Sequence, residues 1–288
     1  MWLSLNSADN EASFATCFVD KLASSGCSDA NDVSELRVRV DEQVHKSVCV
    51  LTADPSSSVH LAHPTFCPVR HLNDDERASA RATCERALRV PMAASIVAES
   101  SDHALLLTRR ATTLRSFPGV WVTPGGYVDA RESLKESAAR EFQEETGLVV
   151  NEEKLQPLCL WESVYPVTLS RGIPKRHCCV LYLHAMLGHP SHELCHFKIS
   201  HAELDTIGWI GRSQVQSICA KEPANGAIDQ SIRMYQSVGV DSNLQAVNYP
   251  LAKLCSPFCP ENDDLKTERV STGTLYALLQ WLQLTSAT

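Results

Sequence analysis

Residues Gly126 to Leu148 read GYVDARESLKESAAREFQEETGL. Within this stretch, Ser133 to Thr146 holds good helix formers with no Gly or Pro, and Gly147 stands where a C′ glycine ends a helix. Leu134, Ala138 and Phe142 recur at four-residue spacing, which predicts one apolar stripe able to face a sheet. Glu141, Glu144 and Glu145 lie at i, i+3 and i+4, so three carboxylates share another face. Like charges so spaced on a solvated helix repel by roughly a few tenths of a kcal/mol. A hard divalent cation removes that cost, because Mg²⁺ and Mn²⁺ take oxygen ligands. Taken alone, EFQEE reads first as an acidic solvated face, the usual place of a run of glutamates. Just upstream, Pro124-Gly125-Gly126 allows a tight turn from strand to helix and a close backbone approach to phosphate, while also serving as an ordinary turn.

Composition bounds the class of protein. The chain has 288 residues, enough for one large domain or two small ones, and 44% apolar with 21% charged content suits a globular fold. Apolar runs are too short to span a bilayer. The start, MWLSLNSADNEASF, lacks the basic and apolar regions of a secretory signal, and Ser286-Ala287-Thr288 is not the Ser-Lys-Leu peroxisomal address. A cytoplasmic or nuclear location is the expectation, with the twelve cysteines as free thiols in a reducing compartment. The formal net charge of −8 argues against broad nonspecific nucleic-acid binding. A local basic groove built from Arg109, Arg110, Arg115, Lys175 and Arg176 is compatible with that charge.

Patterning along the chain sets the remaining elements. Residues 36–53 alternate as a strand pair before a turn at Asp54-Pro55-Ser56, and Asn73 to Arg89 reads as a surface helix. Nothing in the first 90 residues shows recognisable chemistry. Ala93–Ala98 and His103–Thr108 predict a hairpin, Val120–Thr123 the strand feeding the glutamate helix, and Leu155–Tyr165 with His177–Leu187 two more strands. Ala202–Ile210 predicts another strand and Gly211–Ala220 a helix. Residues 221–268, rich in Pro, Asn and Asp, read as loops. Thr272–Leu284 reads as an amphipathic helix with Leu275, Leu278, Leu279 and Leu282 on its stripe. The stretch GHPSHELCHFKISH (188–201) reads as a variable loop rather than a zinc site, and no CxxC pair exists for a zinc ribbon.

The spacing from Gly126 to Leu148 fills every fixed position of G-x5-E-x7-R-E-U-x-E-E-x-G-U, where U is bulky and apolar. It resembles the box of the Nudix hydrolases, which use magnesium or manganese to split a diphosphate linked to a nucleoside. The resemblance implies an α/β fold, a Nudix α/β/α sandwich with a mixed β-sheet between helices, plus N- and C-terminal extensions. The implied division is 1–89 as an N-terminal extension or small α+β region, 90–221 as the Nudix domain, and 222–288 as a loop segment with a terminal helix. It also implies Glu141 and Glu145 as metal ligands, Glu144 as a third ligand or the base, and Glu132 as a further contributor to the metal. Arg140 is expected to pair with a box carboxylate and fix its rotamer. Gly125 and Gly126 are expected at the phosphates.

Substrate preference lies outside the box. Residues 106–126, LLTRRATTLRSFPGVWVTPGG, resemble a signature of the coenzyme A diphosphatases, L-L-T-x-R-[SA]-x3-R-x3-G-x3-F-P-G-G, and depart from it only at Thr123, where that signature has Phe. The segments LLLTRR, LWESVYP with GIPK, and ERVSTGT, together with Phe66-Cys67-Pro68, resemble a cap-hydrolysing branch of the Nudix family over roughly residues 60–285. That broader resemblance implies a capped RNA end as substrate, cut to 7-methyl-GDP and 5′-phosphorylated RNA. Trp161 or Tyr165 then becomes a platform for the methylated base, and Arg110 and Arg115 grips for phosphate, though strand packing and solvated loop arginines explain the same residues. The alternatives are a diphosphatase of coenzyme A or NADH, and a binding protein that has lost catalysis; the intact Glu141, Glu144 and Glu145 disfavour the last.

Overall fold

Short apolar runs build the first and third strands of the chain, each with three consecutive buried residues, and the second strand is largely polar. In the computed structural model, which describes residues 1–6, 12–13, 15–24, 35–83, 89–221, 231–238, 243–256 and 268–286, strands β1 (Trp2–Leu5), β2 (Glu35–Gln43) and β3 (Val48–Ala53) lie side by side. β1 pairs with β3 in parallel through Leu3↔Cys49, and β2 pairs with β3 antiparallel through Val40↔Leu51. Short β4 (His60–Ala62) joins the other edge of β2 and runs parallel to β9 (Gln156–Tyr165), with Leu61 opposite Leu160. The strand order β1-β3-β2-β4-β9-β10, with β10 at Arg176–Met186, is therefore a mixed sheet. Helix α1 (Phe18–Ala23) buries Phe18, Val19, Leu22 and Ala23, whereas α2 (Asp74–Thr83) opens on three acidic residues suited to a helix N-terminus.

These strands and helices, all but the first residue of β9 and the last four of β10, belong to a compact unit made of Met1–Ala94, Gly126–Ser137 and Pro157–Tyr182. The rest, Ser95–Gly125, Ala138–Gln156 and Leu183–Thr288, forms a second unit. Its sheet is antiparallel: β6 (Leu105–Arg110) follows β5 (Met92–Glu99) through a tight turn and pairs with both β7 (Trp121–Val122) and β11 (Leu204–Ile210). A glycine spacer at β11 lets strands approach closely, since a Cβ on Gly208 would lie 2.3 Å from Met234 Sδ. β8 is the short strand Gly125–Tyr127, and Ile96 N–H donates to Pro124 O beside it at 2.9 Å.

The glutamate-bearing helix α3 runs from Leu134 to Thr146 as the spacing predicts. Ser133 and Glu136 cap it reciprocally, Glu136 N–H to Ser133 Oγ at 3.1 Å and Ser133 N–H to Glu136 Oε2 at 2.7 Å. Leu134, Ala138 and Phe142 are fully buried. Gly147 ends the helix at φ +76, its N–H donating to Gln143 O.

Two expectations need correction. Residues 221–268 are not all loop: β12 (Ser231–Val238) and β13 (Asn243–Pro250) form an antiparallel hairpin that extends the sheet from β11, followed by a short helix α5 (Leu251–Leu254). Much of the Pro, Asn and Asp that suggested loops falls on residues 222–230, 239–242 and 257–267, outside the described ones. The terminal helix α6 (Thr272–Leu284) forms as expected, yet it buries Gly273, Thr274, Ala277, Leu278 and Trp281, and Leu279 is exposed. The face is turned by Trp281, whose indole N–H donates to buried Glu99 Oε2 at 2.7 Å. Helix α4 (Arg212–Ala220) sets the Arg212 guanidinium over the Trp281 ring, 5.1 Å from its centroid. No helix among the described residues is long and apolar enough to cross a membrane, and the described cysteines are free thiols.

A methyl group at position 147 would sit 2.8 Å from Lys198 Cβ and 3.0 Å from Lys198 N, on backbone that L side chains rarely adopt. Gly147→Ala should therefore lower stability by about 1–3 kcal/mol. Urea unfolding measures this; an unchanged midpoint and slope would contradict the reading of this turn.

Candidate functional site

Helical spacing and one turn bring the acidic groups of the second unit together. Glu145 is buried at 6% exposure, and its Oε2 accepts the Gly125 N–H at 2.9 Å. Gly125 has φ +154, a conformation that glycine supplies without strain, so the amide at the end of β7's turn is free to point at the carboxylate of α3. Glu141 is half-buried and Glu144 exposed. Arg140 Nη1 bridges them, 2.9 Å from Glu141 Oε1 and 3.3 Å from Glu144 Oε2, which is the pairing with box carboxylates that the sequence suggested.

The electrostatics of this cluster are unfavourable without a cation. Burial pushes the Glu145 carboxyl up to about 8; the Gly125 amide opposes that, the charges of Glu141 and Glu203 add to it, and Arg110 opposes it. Glu141 is also pushed up, first by burial against the pull of Arg140, then by the charges of Glu144 and Glu203. Glu203 is the group that sequence reasoning missed. It lies in the turn before β11, exposed, with its carbonyl accepting the Ala111 N–H at 2.8 Å. No spacing rule links it to the Gly126–Leu148 pattern; the pairing of β6 with β11 and the Lys198 N–H bond to Thr146 O at the end of α3 hold its segment. The donor set of carboxylate oxygens suits a hard divalent ion such as Mg²⁺ or Mn²⁺.

The remaining expected residues fall as follows. Gly126 and Glu132 both lie in the segment Gly126–Ser137 of the first unit, and Glu132 is half-buried with its amide 3.4 Å from Asp129 O. Arg110 is half-buried, with Nη2 donating to Ser116 O at 3.3 Å, and Arg115 is exposed. Arg109 does not belong to a solvent-facing basic groove: its guanidinium is buried against Asp205 and Glu268 at 2.6 and 2.5 Å and donates to Tyr249 Oη. Lys175 and Arg176 are exposed residues of the first unit. Trp161 is buried at 8% exposure within β9, while Tyr165, at the end of that strand, is half-buried. The His-rich stretch is a surface loop, with His189 Nδ1 3.1 Å from Glu193 Oε2 and both side chains exposed.

Comparison with known proteins assigns the class. The NUDIX domain matches residues 89–232, and the chain belongs to the Nudix family; it is a Nudix hydrolase with the family's mixed sheet and helices. It is 35% identical over 238 residues to the m7GpppN-mRNA hydrolase NUDT17 of Danio rerio, covering 78% of this chain and 77% of that one. With the m7GpppN-mRNA hydrolase NUDT17 of Xenopus laevis it shares 34% identity over 232 residues, 79% of this chain and 76% of the other. Among solved structures, a MutT/nudix family protein from Enterococcus faecalis covers 76% of this chain and 72% of its own at 17% identity and a TM-score of 0.41.

The raised Glu145 carboxyl has a consequence for stability. In metal-free protein the folded state holds a proton that the unfolded chain releases, so stability falls as pH rises from about 4.5 to about 8. Glu145→Gln keeps an acceptor for Gly125 and abolishes the charge. With a chelator present, the variant should melt above the parent at pH 8.5, and the two melting temperatures should converge near pH 5. Parallel curves across that window would show that Glu145 is not the strained carboxylate.

Proposed function

We propose that this protein is a metal-dependent diphosphatase that hydrolyses the 5′ cap of 7-methylguanosine-capped RNA, releasing 7-methyl-GDP and a 5′-phosphorylated RNA. The observation that carries the chemistry is the buried Glu145 carboxylate on the Gly125 amide, with the charges of Glu141 and Glu203 converging on it. The choice of substrate is supported by the identity with relatives named m7GpppN-mRNA hydrolase, which extends over more than three quarters of each chain.

Glu141 and Glu145 hold the Mg²⁺ or Mn²⁺ in this reading, with Glu203 within electrostatic reach of both. When bound, the cation neutralises the diphosphate oxygens and favours attack by water at phosphorus. Glu144, the exposed carboxylate of the set, takes the proton from the attacking water. Arg140 fixes the rotamers of Glu141 and Glu144 by bridging them, and so acts as a positioning residue. Arg110 and Arg115, from β6 and the segment after it, grip phosphate oxygens. Of the two post-box aromatic residues, Tyr165, the less buried, is the better candidate for stacking on a methylated, cationic base.

The second reading, a coenzyme A diphosphatase, rests on the 106–126 match. Position 123, where the signature carries Phe, is a buried Thr whose Oγ1 lies 2.6 Å from Ser95 Oγ; that Ser also donates to Thr123 O and Pro124 O. Thr108 Oγ1 likewise donates to Val122 O. Position 123 and Thr108 are thus both tied into strand packing, where they fix the backbone of this segment.

The test is product analysis by mass spectrometry with Mn²⁺ and a panel of capped RNA, NADH and coenzyme A. Release of 7-methyl-GDP well ahead of other products is the expected outcome, and preferential cleavage of coenzyme A would replace the substrate assignment. Glu144→Gln should lower kcat by about 100-fold or more with little change in KM. A smaller loss would move the base to another carboxylate. Tyr165→Ala should raise KM roughly tenfold for methylated cap and less for unmethylated cap. Equal changes for the two caps would remove the stacking role.

A further inference from the structure

The first unit contains a second set of potential ligands, chemically unlike the carboxylates of the Nudix box. Cys17 immediately precedes α1, His63 and Cys67 follow β4, and Glu162 lies in β9. All four are buried, at 3%, 4%, 0% and 0% exposure. One ligand atom from each, two sulfurs, one imidazole nitrogen and one carboxylate oxygen, lies within 4.8 Å of every other. Cys17 and Glu162 stand 145 residues apart in the chain, so this convergence is a product of the fold.

Two of the six separations fall on the edges of a coordination polyhedron, and all six lie within 4.8 Å. Zinc bonds of about 2.3 Å to sulfur and about 2.0–2.1 Å to nitrogen or oxygen give tetrahedral edges of roughly 3.3–3.8 Å. Cys17 Sγ lies 3.5 Å from His63 Nδ1 and 3.3 Å from Glu162 Oε2. The carboxylate is also oriented from behind. Glu162 Oε1 accepts from Phe18 N–H at 3.0 Å and sits 2.9 Å from His177 Nε2, and the His177 ring stacks on Phe18 with centroids 4.2 Å apart. Ligating carboxylates in metal sites are themselves hydrogen-bonded, which fixes their orientation.

We propose that Cys17, His63, Cys67 and Glu162 form a structural zinc site. Four protein ligands leave no open position, which is the pattern of a structural rather than a catalytic zinc. Two sulfurs and an imidazole select zinc over the magnesium or manganese that suit the box carboxylates. The ion joins α1, the segment after β4 and strand β9, and the cysteine protons leave to solvent when it binds. A buried polar network of neutral thiols held by hydrogen bonds is the competing account of the same contacts.

The test uses the full-length chain, purified without chelator after growth in zinc-supplemented medium, with metal counted by inductively coupled plasma mass spectrometry. About one zinc per chain is expected, with Cys67→Ser losing it and Cys159→Ser, a buried thiol outside the cluster, retaining it. His177→Gln should weaken zinc binding about tenfold while leaving all four ligands in place. If Cys67→Ser does not fold, cobalt substitution of the parent decides: thiolate-to-cobalt charge-transfer absorption with tetrahedral visible bands is expected. Zinc-free protein whose melting temperature ignores both added zinc and a strong chelator would overturn the site, as would a Cys17–Cys67 disulfide or octahedral cobalt without thiolate absorption. Cap hydrolysis with Mn²⁺ is assayed separately: its absence with zinc retained removes only the functional proposal, and its presence in zinc-free stable protein removes only this one.

Discussion

A buried carboxylate held by a single backbone amide, Glu145 on Gly125, is the contact on which the arrangement of the box depends. Transferring a carboxylate out of water costs several kcal/mol unless donors or a cation compensate it. One amide is a partial answer, and the neighbouring charges of Glu141 and Glu203 work against it. The helix is nonetheless held in this position by its apolar stripe, with Ala138 and Phe142 fully buried, and by its glycine stop. Packing energy spent along one face of α3 thus maintains charge crowding on another. That is the condition under which a divalent ion binds to a prepared site.

Elsewhere the fold handles buried charge differently, by satisfying it completely. Burial works against the charged form of Glu99, but donation from Trp281, His103 and His184 holds its carboxyl below the usual range. The Arg109 guanidinium is paired with Asp205 and Glu268 and touches Tyr249. These networks join strands of the second unit to α6 and to the segment that leads into it, where Trp121 N–H donates to Arg269 O and Ser271 N–H donates to Trp121 O. Breaking one partner of such a pair costs about 3–5 kcal/mol, because the other is left charged and buried. Arginine count alone was a poor guide here: of the three arginines at 109–115, the first is structural, and Arg110 and Arg115 remain the ones exposed or half-exposed.

The elements with strong local periodicity were readable in advance. α3 has its boundaries, stripe and glycine stop written into consecutive residues, and β5, β6, β9, β10 and β11 follow from runs of β-branched and apolar residues. The β12–β13 hairpin escaped because its inward residues are few, Ile232 and Met234 among them, and its flanks are rich in loop formers. The buried face of α6 was misassigned for a related reason. Leucines outnumber the tryptophan, but Trp281 carries the largest apolar surface and an N–H that must find a partner, so it sets the rotation of the helix.

The spacing of residues along one helix was sufficient to place the three glutamates together, because a period of 3.6 puts i, i+3 and i+4 on one face whatever surrounds it. The helix, its carboxylate face and its glycine stop could therefore be read without coordinates. Tertiary structure alone decided which distant groups join them. Glu203 reaches the box through the pairing of β6 with β11, and Cys17, His63, Cys67 and Glu162 meet through α1, β4 and β9. Such encounters depend on strand order and register, which local side-chain periodicity does not encode.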